Sequence, residues 1–216
     1  MQFSIILSKI VILAMAVSSI FAQVDVIGDQ NFQIIQNNNQ ISLPFFSNQS
    51  LDAPDGSIQK VVIVIHGANR NADEYYNSIY NNAFDLDVLP ETIIIAPQFL
   101  ITTDLNYWQP STAYVFWSST TPWSSGNQSH STGEHPRDYE ISSYTIMDSL
   151  IAHLLIVYPN LQDIALVGNS AGGQFVNRYA AGSDQEAEGI IRYIISAPSS
   201  YVYTVSYTHL TLPTSE

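Results

Sequence analysis

Gly168-Asn169-Ser170-Ala171-Gly172 spells G-x-S-x-G and follows directly on the apolar run Ile164-Ala165-Leu166-Val167. A serine in that setting sits on a tight strand-to-helix turn, the nucleophile elbow. Small neighbours let the turn close, and the side-chain oxygen then projects from the C-terminal end of a sheet at the start of a helix. Free N–H groups and the helix dipole at that point favour developing negative charge. The chemistry expected of Ser170 is nucleophilic acyl transfer. A second piece lies far upstream, where residues 61–65 run into His66-Gly67-Ala68. A tetrahedral intermediate needs two N–H donors on its oxyanion. One comes from the residue after the nucleophile, here Ala171, and the other from the loop after the His-Gly strand. The backbone of Ala68 is the expected second donor, with Gly67 the neighbouring possibility. The His66 side chain is expected to be satisfied by backbone partners, because the chemistry needs the main chain here.

Regular elements must hold these two strand exits together. Residues 61–65, 92–96, 164–167 and 193–195 are apolar runs rich in β-branched side chains, the kind buried on both faces of a parallel sheet. Between them, 72–82, 142–158 and 172–181 carry helical patterns. The second of these sets Ile146, Leu150, Leu154 and Val157 on one stripe and stops at Pro159-Asn160. Strands alternating with helices predict βαβ units, hence an α/β fold with a mostly parallel sheet and helices on both faces. Phe32-Gln33-Ile34-Ile35 and the run 41–46 flank Asn37-Asn38-Asn39, which predicts an antiparallel hairpin at one edge of the sheet.

The chain has 216 residues, with six Lys+Arg against nineteen Asp+Glu and a net charge of -13. Phosphate backbones and anionic lipid heads would repel it, so nucleic acid is not an expected partner. The absence of cysteine excludes disulfides, zinc–thiolate sites and a thiol nucleophile together. Residues 1–22 read as a secretory signal peptide: Lys9 is the lone charge, the apolar stretch 10–17 is too short to span a bilayer, and Ser18, Ser19 and Ala22 close it. A retained anchor helix is the alternative. Cleavage after Ala22 implies a secreted product, or one in the lumen of the secretory pathway, with no stable membrane span in the mature chain. Asn48-Gln49-Ser50 and Asn127-Gln128-Ser129 are glycosylation sequons that suit such a product. Residues 205–216, VSYTHLTLPTSE, resemble a translated sequencing-library adapter, a transposase mosaic end, codon by codon on back-translation. A genuine edge strand with a Pro-Thr tail is the alternative there. The natural mature chain is then expected over 23–204.

The residues resemble the α/β-hydrolase superfamily, and most closely its secreted serine hydrolases in which HG-x-x-R precedes G-[HN]-S-x-G-G-Q-x-V-x-R-Y-A. The matching positions are His66-Gly67-Ala68-Asn69-Arg70, then Gly168 through Gln174, Val176, Arg178, Tyr179 and Ala180. Ser196-Ala197-Pro198-Ser199-Ser200-Tyr201 is similar to that group's N-P-S-S-Y segment, with Ala for Asn. The resemblance implies an α/β-hydrolase fold and a Ser-His-Asp enzyme acting on an ester or amide through an acyl-enzyme. The triad then runs Ser, Asp or Glu, His along the chain. No histidine follows Ser170 within residues 171–204, and His209 lies in the adapter-like segment. Asp184, Glu186 and Glu188 precede the last strand, on the sheet edge opposite the site, and read as a solvated loop. His130 and His135 come before the serine and break the usual order, though triads are defined by geometry and the two stay as outside candidates; His153 sits mid-helix. The expectation is a truncated domain whose C-terminal strands, acid and histidine lie beyond residue 204, leaving this fragment inactive.

Between Thr102 and Glu140 periodicity vanishes, yet Trp108, Trp117 and Trp123 all fall there. The stretch 103–140 is either a surface excursion pinned by its aromatics or a lid or pocket wall in which the three tryptophans bind substrate. Two functions compete. One is a secreted serine esterase for a small-molecule, lipid or carbohydrate ester, with a serine peptidase as its enzymatic rival. The other is a non-catalytic binding module on the same fold, holding carbohydrate or lipid. No HExxH, EF-hand ladder or phosphate-binding glycine loop occurs, so no metal or cofactor is expected.

Overall fold

Uninterrupted β-branched runs belong at the centre of a sheet, and three of them lie there side by side. The computed structural model describes residues 22–36, 38–120, 122–183 and 189–202. The signal-peptide reading of 1–22, except Ala22, therefore falls outside the described residues. So do the adapter-like 205–216 with His209, and Asp184, Glu186 and Glu188. In chain order the elements begin β1 (Gln30–Gln36), β2 (Asn39–Ser47), β3 (Lys60–Ile65), α1 (Ala72–Asp85) and β4 (Thr92–Pro97). They continue with β5 (Leu100–Ile101), α2 (Thr102–Trp108), β6 (Phe116–Trp117), α3 (Ser143–Val157), β7 (Asp163–Asn169), α4 (Ala171–Gly182) and β8 (Ile191–Ser196).

Six strands form one sheet in the order β1-β2-β4-β3-β7-β8. The β1–β2 hairpin and the β2–β4 pairing are antiparallel, whereas β4, β3, β7 and β8 run parallel. The architecture is thus α/β, with a mostly parallel sheet and the hairpin at one edge. Alternation along each strand decides which helix covers which face. Ile63 and Ile65 join Ile146, Leu150, Phe175, Val176 and Tyr179 in the main core under α3 and α4. Val64 and Ala96 point the other way, onto Ala72, Tyr75 and Ile79 of α1. Helix α3 starts where the Ser142 hydroxyl accepts the Tyr144 N–H at 3.1 Å, capping an otherwise unpaired donor.

In the register between β3 and β7, Ile65 lies opposite Gly168. The two strands therefore end together, and the His66 loop and the Ser170 turn leave the sheet side by side. At the far edge β8 pairs with β7, and Ile194 and Ile195 are 45% and 37% exposed. Residues 103–140 are not a structureless excursion. They contain α2, β6, a 3-10 turn at Trp123–Ser125 and much of the packing around them. These elements are too short to show a period: α2 has 7 residues and β6 has 2. Among the described residues no helix is long and apolar enough to cross a membrane. Each sequon asparagine spends its amide nitrogen inside the fold, Asn48 on the Thr92 carbonyl and Asn127 on that of Pro122, both at 3.0 Å.

Candidate active site

Ser170 sits between the end of β7 and the first turn of α4, with φ 56° and ψ −119°. That is the left-handed half of the map, where a side chain is strained and held only if the surroundings over-determine it. Three glycines supply the closeness that does so. A Cβ on Gly168 would fall 2.2 Å from the Gly172 carbonyl oxygen, and one on Gly172 would fall 2.2 Å from that of Ile65. A Cβ on Gly173 would meet the Ser196 carbonyl oxygen at 2.4 Å. The segment after β8 braces the same turn, because Ser170 N–H donates to Ser196 O at 3.1 Å and Ser199 N–H donates to Ser170 O at 3.3 Å. Three motifs separated along the chain, 66–70, 168–180 and 196–201, thus meet at one point.

Across from the elbow, the β3 exit comes close enough that a Cβ on Gly67 would lie 3.9 Å from Ser170 Cβ. The Ser170 hydroxyl has no hydrogen-bond partner among the described residues. The Ala171 N–H, first of its helix, and the Ala68 N–H likewise donate to no described group. The two alanines line one small pocket. Two unspent backbone donors on the loops beside a nucleophile's turn are what acyl transfer uses to hold an oxyanion.

The loop carrying Ala68 is pinned from below. His66 is fully buried, with Nδ1 2.8 Å from Gly67 O and Nε2 2.9 Å from the Phe99 N–H. A backbone N–H can only donate, so Nε2 is bare, and the proton sits on Nδ1 and is donated to Gly67 O. Burial pushes the ring's pKa from 6.5 down to about 4; the Arg70 charge acts in the same direction and the Gly67 bond opposes it. The ring is neutral with both nitrogens committed, and it is no candidate for a general base. Its effect falls on the main chain. Gly67 C=O and Ala68 N–H share one planar trans peptide and point opposite ways. Holding the carbonyl against His66 turns the Ala68 N–H away from the ring.

Arg70 fixes the next peptide. Its Nη1 donates to Ala68 O at 2.9 Å, while Nε and Nη2 grip Asp104 at 2.8 and 3.2 Å. Asp104 is fully buried and also accepts the N–H groups of Val24 and Ile101. Gln98, buried as well, donates to Arg70 O at 3.0 Å. Of these residues only Arg70 stands in a recognisable motif. Asp104 lies 34 positions from Arg70 and Gln98 lies 28, separations at which no local spacing signals a contact.

No protein-family model matches this chain, and no curated protein does either. Two solved structures are similar to it. One is poly(aspartic acid) hydrolase-1 from Sphingomonas sp. KT-1, at 21% identity and TM-score 0.40, covering 70% of this chain and 50% of that one. The other is the siderophore hydrolase EstB from Aspergillus nidulans, at 16% identity and TM-score 0.40, covering 79% and 56% respectively. The match thus spans about half the length of either protein.

The three tryptophans part company. Trp117 is fully buried, its indole N–H bound to Asn127 O at 2.9 Å, and it presents no surface to a substrate. Trp108 is 40% exposed but lies away from the elbow pocket, with its N–H on Val24 O. Both depart from the substrate-binding expectation, because the apolar bulk of this stretch is used to anchor it. Trp123 does line the pocket beside Ala68 and Ala171. Its turn is tied to α4, since Ser125 Oγ accepts from Arg178 Nη1 at 2.8 Å and from Gln174 Nε2 at 3.1 Å.

The remaining described histidines make their contacts elsewhere. His130 packs edge-on against Phe116, His135 Nε2 meets Asn106 at 2.7 Å, and His153 Nε2 lies 3.1 Å from both Leu51 O and Asp52. No described histidine or carboxylate bonds to Ser170. Among the described residues no group of three or more His, Asp or Glu side chains is placed to hold a metal ion.

Proposed function

We propose that the gene product is an exported serine hydrolase of the α/β-hydrolase fold that cleaves carboxylic esters through an acyl-enzyme on Ser170. The observation that carries this reading is the strained Ser170, its hydroxyl unpartnered, at the β7–α4 turn, with the β3 exit close by at Gly67 and with Ala68 and Ala171 lining one pocket. In the reaction, Ser170 Oγ adds to the ester carbonyl carbon, and the two N–H groups hold the oxyanion. The bond to the alkoxy oxygen then breaks, and the alcohol leaves with the serine proton. Water attacks the acyl-serine and releases the acid. Each oxyanion donor supplies about 3–4 kcal/mol of transition-state stabilisation in such sites.

The proton needs a base. On this reading the histidine, and the acid that orients it, belong to sequence that follows residue 204 in the parent gene, and the 216-residue chain is expected to be inactive on its own. A non-catalytic binding module is disfavoured by Ser170 itself, because a left-handed serine costs of order 1–3 kcal/mol to hold. The test is a fluorophosphonate probe on the full-length gene product. Labelling is expected at Ser170, lost in Ser170→Ala and absent from the 216-residue chain. A folded full-length protein that takes no label overturns the reading.

A further inference from the structure

We propose that the pocket beside the two donor residues is the acyl site, and that it restricts the enzyme to esters of short, uncharged acyl groups. The proposal rests on Ser170 being the nucleophile. Ala68 and Ala171 form one end of the pocket, while Ile101, Pro122 and Trp123 wall it. Its volume is about 100 Å³. An engineered apolar cavity of roughly 150 Å³ holds one benzene, so this smaller space suits acyl chains of about two to four carbons. Among the described residues no carboxylate lines it, and the Arg70 guanidinium is already committed to Asp104 and two carbonyls. An acyl carboxylate would find no counter-ion there and would lose its hydration.

The lining assigns this pocket to the acyl half of the substrate. Its walls come from loops on the β4 side of Ser170. Among the described residues no histidine or carboxylate lines it. The alkoxy group must leave toward a base, so the pocket takes the acyl group.

The walls are rigid, which makes the limit steric. Trp123 is 4% exposed and stacks on Phe99 with centroids 4.9 Å apart and planes at 10°. Its ring lies T-shaped to that of His66 with centroids 4.7 Å apart, and its carbonyl accepts from the Ser143 hydroxyl at 2.6 Å. The Ser125 bonds to Arg178 and Gln174 fasten the same turn to α4, the helix that begins at the elbow. Opposite, Ile101 is held through its N–H on the buried Asp104 at 2.8 Å. A longer chain cannot push either wall aside without dismantling contacts that position the oxyanion donors.

The experiment compares p-nitrophenyl acetate, butyrate, octanoate and hemisuccinate on the full-length gene product, with fluorophosphonate labelling alongside. We expect kcat/KM to fall by about tenfold or more from butyrate to octanoate, and similarly from butyrate to the anionic hemisuccinate. Trp123→Ala should raise octanoate turnover relative to acetate. Ser119→Trp, at an exposed lining position that a folded protein tolerates, should abolish butyrate turnover while acetate turnover persists. Octanoate or hemisuccinate turned over as well as acetate by enzyme that labels at Ser170 overturns the acyl-site proposal and leaves the nucleophile standing. Failure to label or to cleave any ester overturns both.

Discussion

Arg70 and Asp104 meet at 2.8 Å in a place where the arginine side chain is 2% exposed and the aspartate fully buried. The pair joins the loop after β3 to the start of α2. It holds the Ala68 carbonyl on one side and the incoming chain at Ala22 and Val24 on the other. Such a pair gives little net stability over a well-packed apolar replacement, but losing one member strands the other charge. Asp104→Ala should therefore cost about 3–5 kcal/mol of unfolding free energy, read as a drop in the urea midpoint at constant slope. A loss below about 1 kcal/mol would mean the pair is solvated, as surface pairs are.

His66 gives the protein a pH dependence of predictable sign. Its folded pKa, about 4, lies below the ordinary 6.5, because burial penalises the imidazolium. Between those two values the unfolded chain binds a proton that the folded protein refuses. Stability contributed at neutral pH is therefore lost as pH falls below 6.5, and the loss is complete near pH 4. It amounts to roughly 3 kcal/mol. Gln in place of His66 can accept from the Phe99 N–H and donate to Gly67 O without titrating. Urea unfolding of His66→Gln should show a flatter stability–pH curve than wild type in this window. Parallel curves would show that another group sets the slope.

Strain at Ser170 should be visible as a stability gain when the side chain is removed. At φ 56° a glycine has no Cβ to strain, so Ser170→Gly should stabilise the fold by about 1 kcal/mol. In a domain of this size that is a rise of about 2–4 °C in Tm. The same variant should lose all fluorophosphonate labelling. A Tm that falls would indicate that the serine is at ease in its turn, and the argument from strain to catalysis would fail with it.

Much of the fold was legible in local pattern. Four β-branched runs, three helical stripes and the Asn-rich turn appear as β3, β4, β7, β8, α1, α3, α4 and the β1–β2 hairpin, with ends shifted by a few residues. These elements are long enough for their periodicity to outweigh composition. The stretch from 102 to 140 was opaque because α2, β6 and the turn at Trp123 are each shorter than the window over which a period can be read.

The site divides in the same way. Sequence alone placed Ser170 on a strand-to-helix turn and His66-Gly67-Ala68 at a strand exit, because both statements concern bonded neighbours. It also settled that the chain carries no thiol and few positive charges. Only the tertiary structure decided that the two exits face each other, through the Ile65–Gly168 register. The packing of Phe99 against His66 fixed that ring's tautomer, and Asp104, 34 residues away, was recruited to steady the loop. It also separated Trp123, at the pocket, from Trp117 in the core and Trp108 on the Val24 carbonyl. The physical reason is common to all of these. Strands, turns and helices are chosen by near neighbours along the chain, whereas the direction of an N–H or the face of an indole is set by whatever the folded chain brings against it.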